Sequence, residues 1–111
     1  MHDGTTRPSG SLRMREAPEL AGRWLIEVDN KSCAVVFAAE RVESANAWRL
    51  DDPTGCLAAV VPGVVGWRPS PEGIELAGAD RLTVLIFTAT GETTVGRATL
   101  RGGGEAVLRP Q

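Results

Sequence analysis

The sequence has no stretch of about 18 consecutive apolar residues, so no membrane-spanning helix is expected. It also lacks an excess of positive charge. Twelve Lys and Arg against 14 Asp and Glu leave a formal net charge of −2, whereas a nucleic-acid surface needs a basic face. Histidine is limited to His2, in a polar leader, so no Ser-His-Asp or Cys-His pair can be drawn in the body of the chain. Cysteine is limited to Cys33 and Cys56. They are too far apart for a C-x-x-C redox pair and too few, without histidines, for a zinc cage. Two free buried thiols or one disulfide remain. A bridge suits a small domain from an oxidising compartment and would contribute roughly 3 kcal/mol by closing a loop of about two dozen residues. No phosphate-cradling glycine loop precedes a helix. No catalytic residue, metal ligand or cofactor is therefore expected, and an enzyme is the remotest reading.

What is present belongs to one small globular domain. A chain of 111 residues with 42% hydrophobic and 23% charged residues is neither disordered nor long enough for two cores. The leader, residues 1–10, is almost devoid of apolar side chains and without the apolar run of a signal peptide. It reads as a disordered tail or a remnant of expression. Residues 11–22 follow as an arm and a short helix, Glu16 to Ala21, with Pro18 and Glu19 early and Gly22 at its end.

From residue 23 to 111 the period is two. Trp24, Ile26 and Val28 share one face of a strand, and Asp29-Asn30-Lys31 turns the chain. Cys33, Val35 and Phe37 share a face of the next strand. Ala45 to Leu50 follows. Thr54 to Val61 favours a helical turn by its Leu and Ala content, and Gly63 to Arg68 is a strand ending at a corner or edge marked by Pro69 and Pro71. Ile74 to Leu76, Leu82 to Thr88, Thr93 to Leu100 and Glu105 to Arg109 complete about eight short strands, the pattern of a sandwich or barrel. Closure of the sheet would remove exposed edges.

Few constellations point to chemistry. Asp51 and Asp52 beside Pro53 look like a solvated turn rather than an acid–base pair. Gly102-Gly103-Gly104 lies between two strands, as a hairpin turn does. Trp24, Trp48 and Trp67 could stack a ligand, but core filling is the simpler role, with each indole N–H finding a partner. Ser11-Leu12-Arg13-Met14 stands outside the strand pattern, either as a linker or as an extended peptide for a partner.

Ser11-Leu12-Arg13-Met14 followed by Pro18-Glu19-Leu20-Ala21-Gly22-Arg23-Trp24 resembles the start of the bacterial alkaline-protease inhibitors, which act on serralysin-type zinc metalloproteases. The likeness continues through Lys31-Ser32-Cys33, Val42 to Leu50, Gly55-Cys56-Leu57-Ala58 and Gly66-Trp67-Arg68-Pro69-Ser70-Pro71-Glu72-Gly73-Ile74, to Ala106-Val107-Leu108-Arg109. The Trp-Arg-Pro-Ser/Thr-Pro run after Gly-Cys-Leu is its most specific part. The resemblance implies an eight-stranded antiparallel up-and-down β-barrel with a Cys33–Cys56 disulfide and a periplasmic home, the protein being exported. A related barrel domain occurs on outer-membrane lipoproteins, but no lipobox cysteine is present here. The resemblance further implies a monomer that forms a 1:1 complex with a secreted zinc metalloprotease. Its inhibitory trunk would be Ser11, Leu12, Arg13, Met14 and Arg15, inserted into the active-site cleft, with the Leu12 side chain filling an apolar subsite. In the family the mature chain begins near the position of Ser11 and its terminal amine reaches the zinc. Ten residues precede Ser11 here, so its nitrogen is an amide until they are removed. A non-inhibitory binding or structural barrel of the cell envelope is the competing reading.

Overall fold

The computed structural model describes Leu12, residues 15–91 and residues 94–111. Eight antiparallel strands close into a barrel in sequence order: β1 (Gly22–Val28), β2 (Lys31–Val42), β3 (Ala47–Asp51), β4 (Val64–Ser70), β5 (Gly73–Gly78), β6 (Thr83–Ala89), β7 (Gly96–Thr99) and β8 (Glu105–Pro110). Closure is made by β1 against β8, from Trp24↔Pro110 to Val28↔Ala106. The sandwich alternative is thereby excluded, and the up-and-down barrel stands. A four-residue helix, α1 (Ala17–Leu20), leads into β1, and α2 (Cys56–Val60) lies in the crossing from β3 to β4. Among the described residues no helix is long and apolar enough to cross a membrane.

The period of two sets the interior. Trp24, Ile26 and Val28 face Cys33, Val35 and Phe37 inside the barrel, joined by Trp67, Ile74, Leu76, Phe87 and Leu108. The rings of Trp24 and Phe37 stack at 5.4 Å between centroids, and those of Phe37 and Trp67 at 4.8 Å. Offset stacking of this kind adds roughly 0.5–1.5 kcal/mol per pair beyond burial. Both buried indoles find acceptors: Trp24 Nε1 donates to Leu20 O at 2.8 Å and Trp67 Nε1 to Ala38 O at 3.1 Å. Trp48 corrects the expectation of three core tryptophans. It is only half-buried and packs at the core margin, with the Arg41 guanidinium 5.4 Å over its ring. The β2–β3 ladder shifts register between Phe37 and Arg41, which places Trp48 where β2 has already bent away from the interior.

The two ends of the barrel differ. At one lie α1, the β2–β3 and β4–β5 turns and the start of β7. At the other lie α2, the β5–β6 and β7–β8 turns and the disulfide, Cys33 to Cys56, with Cα atoms 5.3 Å apart. Pro69 pairs with Ile74 of β5 on one side and stands at a local edge on the other. Pairing between β3 and β4 ends at Trp48↔Trp67, so the N–H that proline lacks falls beyond the last β3 partner. Gly73, which starts β5, lies where a Cβ would come 2.1 Å from Phe87 O, so only glycine admits this approach.

Arg68 explains much of the Trp-Arg-Pro-Ser-Pro run. Its Nε donates to Glu75 Oε1 at 3.0 Å. Nη1 donates to the carbonyls of Ala45 and Asn46 at 3.1 and 3.2 Å. Nη2 donates to Arg81 O at 3.1 Å and Thr83 Oγ1 at 2.9 Å. These contacts pin the 3-10 turn Glu43–Ala45 over the outer face of the wall, where Ala45, Ala47 and Ala77 form a small second cluster.

Replacing both cysteines by serine should leave the barrel folded and lower its stability by about 3 kcal/mol, read as a fall in the urea midpoint. Arg68→Lys cannot reproduce the planar five-donor fork. It should cost about 1–3 kcal/mol by orphaning carbonyls of the 3-10 turn, and a variant as stable as the parent would remove that role.

Candidate functional site

The arm and its root at the α1 end form the candidate site. Of the expected trunk residues, Ser11, Arg13 and Met14 lie outside the described residues, and Leu12 and Arg15 lie within them. Helix α1 is short, yet its start is fixed. Glu16 N–H donates to Glu19 Oε1 at 2.9 Å, and Pro18 stands in the first turn, where its missing N–H is not needed. The same bond from Glu16, and then Arg15, hold the Glu19 carboxyl below its ordinary pKa. Arg15 Nη1 lies 3.3 Å from Glu19 Oε2. Whatever this carboxylate contributes to α1 is present above the ordinary carboxylate pKa and is lost as pH falls through the lowered one.

The helix is a plug as well as a connector. Leu20 and Ala17 are 1% and 6% exposed, and the Leu20 carbonyl, free at the helix C-terminus, takes the Trp24 indole N–H from inside the barrel. Leu12 belongs to the same plug. It is fully buried and part of the main core, with its Cδ1 3.1 Å from where a Cβ on Gly96 would stand and Phe87 Cβ 3.0 Å from that point. The inner face of β7 thus carries a missing side chain, and Leu12 occupies the vacated space. In the free protein the Leu12 side chain is thus stowed in its own barrel. The clue in the sequence is Gly96, which interrupts an otherwise β-prone run and leaves a gap that another element must fill.

The remaining candidates resolve into structural roles. Asp52 caps α2, its carboxylate oxygens accepting from Leu57 N at 3.1 Å and Ala58 N at 2.9 Å. Asp51 is bound by Arg49 Nε at 2.8 Å. The Gly102 to Gly104 stretch is the β7–β8 hairpin turn, closed by Leu100 N to Gly104 O at 3.1 Å. Among the described residues no group of three or more His, Cys, Asp or Glu side chains could hold a metal ion.

If Leu12 is a core residue, Leu12→Ala should cost about 2–5 kcal/mol, as other buried leucines do. A loss below 0.5 kcal/mol in urea denaturation would show that the side chain does not reside beside Gly96.

Comparison with known proteins agrees with this architecture. A structure of a psychrophilic marine protease MP inhibitor superposes with a TM-score of 0.71 at 21% identity, covering 87% of this chain and 100% of that one; at that identity the likeness concerns the fold. A proteinase inhibitor of Dickeya chrysanthemi is 35% identical over 72% of this chain and 67% of its own length. The alkaline proteinase inhibitor of Serratia marcescens is 32% identical over 76% and 68%, and a proteinase inhibitor of Pseudomonas aeruginosa is 32% identical over 91% and 79%. Residues 14–109 match the protease inhibitor Inh family, and the chain belongs to that family of protease inhibitors, which are not themselves enzymes.

Proposed function

We propose that the chain inhibits a secreted bacterial zinc metalloprotease of the serralysin type, by placing its trunk, Ser11 to Arg15, in the active-site cleft, as a 1:1 complex formed in the periplasm. The observation that carries this reading is the rooting of the arm. Helix α1 is seated at the end of a rigid barrel through buried Ala17 and Leu20, so the trunk starts from a fixed point and less ordering is needed on binding. The barrel, residues 23–111, acts as the shoulder, and residues 11–22 act as the inhibitory element.

The stowed Leu12 adds a step. Withdrawing a leucine from the core costs about 2–5 kcal/mol, as its truncation does, which an apolar subsite of the protease offsets when it receives the side chain. Backbone groups of the trunk then pair with the cleft. The Ser11 amine, once residues 1–10 are removed, is a good ligand for the target's zinc and takes the open position that hydrolysis needs for its water. A chain that starts at the metal, rather than crossing it, presents no peptide bond for cleavage.

A titration against a serralysin-type protease tests the reading. A form beginning at Ser11 should inhibit stoichiometrically and at least ten-fold more tightly than the full chain. Deletion of residues 11–15 should abolish inhibition with the barrel still folded. Equal potency of the first two would remove the amine–zinc contact. A folded barrel without inhibition in any processed form would favour a non-inhibitory envelope domain.

A further inference from the structure

The barrel wall has a parted seam at the end opposite the arm. Pairing between β6 and β7 consists of Thr88↔Arg97 and Ala89↔Gly96. From Thr83 to Phe87, β6 is paired with β5 alone among the described residues. Ala89 N donates to Glu72 O, towards β5, so strand alternation turns the main-chain groups of Thr88 and Ile86 towards β7. Thr88 meets Arg97 there, whereas Ile86 meets no strand. The β5–β6 ladder also shifts register beside this point, between Leu76 and Ala77, which bends the strand away from β7.

The seam widens into a groove of about 580 Å³ lined by Val61, Leu82, Val84, Leu100, Arg101 and Gly102, among others. Among the described residues Leu82 and Ile86 are the large apolar side chains left exposed, at 66% and 49%, and they border this groove or its continuation along β6. Its charged lining differs on the two sides. Asp80 Oδ1 already accepts from Leu82 N at 3.1 Å. Arg101 forms no ion pair among the described residues, unlike nearby Arg97, which is matched to Glu105 at 2.8 Å. The Gly102 amide likewise has no acceptor among the described residues, the turn being closed through Gly103 N and Leu100 N.

An open strand edge recognises an extended backbone, an apolar pocket recognises alternate side chains, and an unmatched guanidinium beside a free amide recognises a carboxylate. We infer that the β6–β7 seam receives the apolar C-terminal end of an extended partner polypeptide. The segment would add beside β6, with its terminal carboxylate at Arg101 and Gly102. Direction supports that occupant: β6 runs away from the disulfide end, so a strand antiparallel to it runs towards that end and finishes at the β7–β8 turn. Its last side chain then enters the space between Val61, Leu82 and Leu100. A second copy of this chain fits less well, because its own β7–β8 hairpin would have to enter the same gap.

The test uses the full ¹⁵N-labelled chain and the acetylated peptide Ser-Thr-Val-Thr-Val with a free C-terminus. Amide shifts should change on titration at Ile86, Gly102 and Gly103, and the C-terminal carboxamide of the peptide should bind at least ten-fold more weakly. Arg101→Gln, an exposed turn substitution that leaves the barrel spectrum intact, should reduce the acid form to the affinity of the carboxamide. Equal binding of acid and carboxamide, or no shift at these three residues, would overturn the inference. So would sedimentation showing that the same shifts follow self-association without peptide.

Discussion

One hydrogen bond joins the two halves of this molecule's design: the Trp24 indole N–H on the Leu20 carbonyl. Trp24 is the first large residue of β1 and stacks on Phe37, which stacks in turn on Trp67. A line of rings therefore runs from β1 through β2 to β4 across the interior. Leu20 is the last residue of α1, so the bond sets the helix against the end of that line. A four-residue helix is unstable alone, and this bond adds to the burial of Ala17 and Leu20 in holding it to the barrel. Leu12 belongs to the same core cluster as Leu20 and Trp24. An indole suits the position because it offers a large apolar surface and a single donor at its edge.

The wall shows a division of labour between covalent, ionic and apolar means. The α1 end is held by packing. The far end is held by the Cys33–Cys56 bridge and the Asp52 cap on α2. The outer face of β3, β4 and β5 is held by Arg68, whose five donors meet five acceptors on four segments. Surface pairs such as Arg109–Glu27 and Arg49–Glu40 are exposed and add little individually. The region left without any of these supports is the β6–β7 seam, where a bulge and a short partner strand leave main-chain groups facing outward.

Strand order, turn positions and the inner face were legible because alternation is a direct record of burial. Trp24, Ile26 and Val28 can face inward together only in a strand. Length was less legible. Of the expected strand from Thr93 to Leu100, Thr93 lies outside the described residues and the strand spans Gly96–Thr99, because the chain before it is taken up by the turn that Thr90 N closes on Val95 O. The half-exposure of Trp48 depends on a register shift that no local pattern encodes. The seat of Leu12 was the least legible feature. A single leucine between polar residues looks like a free arm, and only Gly96, some eighty positions later, marks the space it fills. Complementary features so distant in the chain are paired by the fold and not by any periodicity.

Order along the chain gives the crosslink a further significance. Cys33 and Cys56 are separated by 23 residues and both precede β4, so in an oxidising compartment the bridge can form before the second half of the chain has joined the sheet. Circular closure cannot, since β1 waits for β8 as its last neighbour. Until then β1 and each newest strand remain open to pairing with other molecules. The bond between the cysteines thus secures an unfinished, open sheet during the interval in which it is most prone to aggregate.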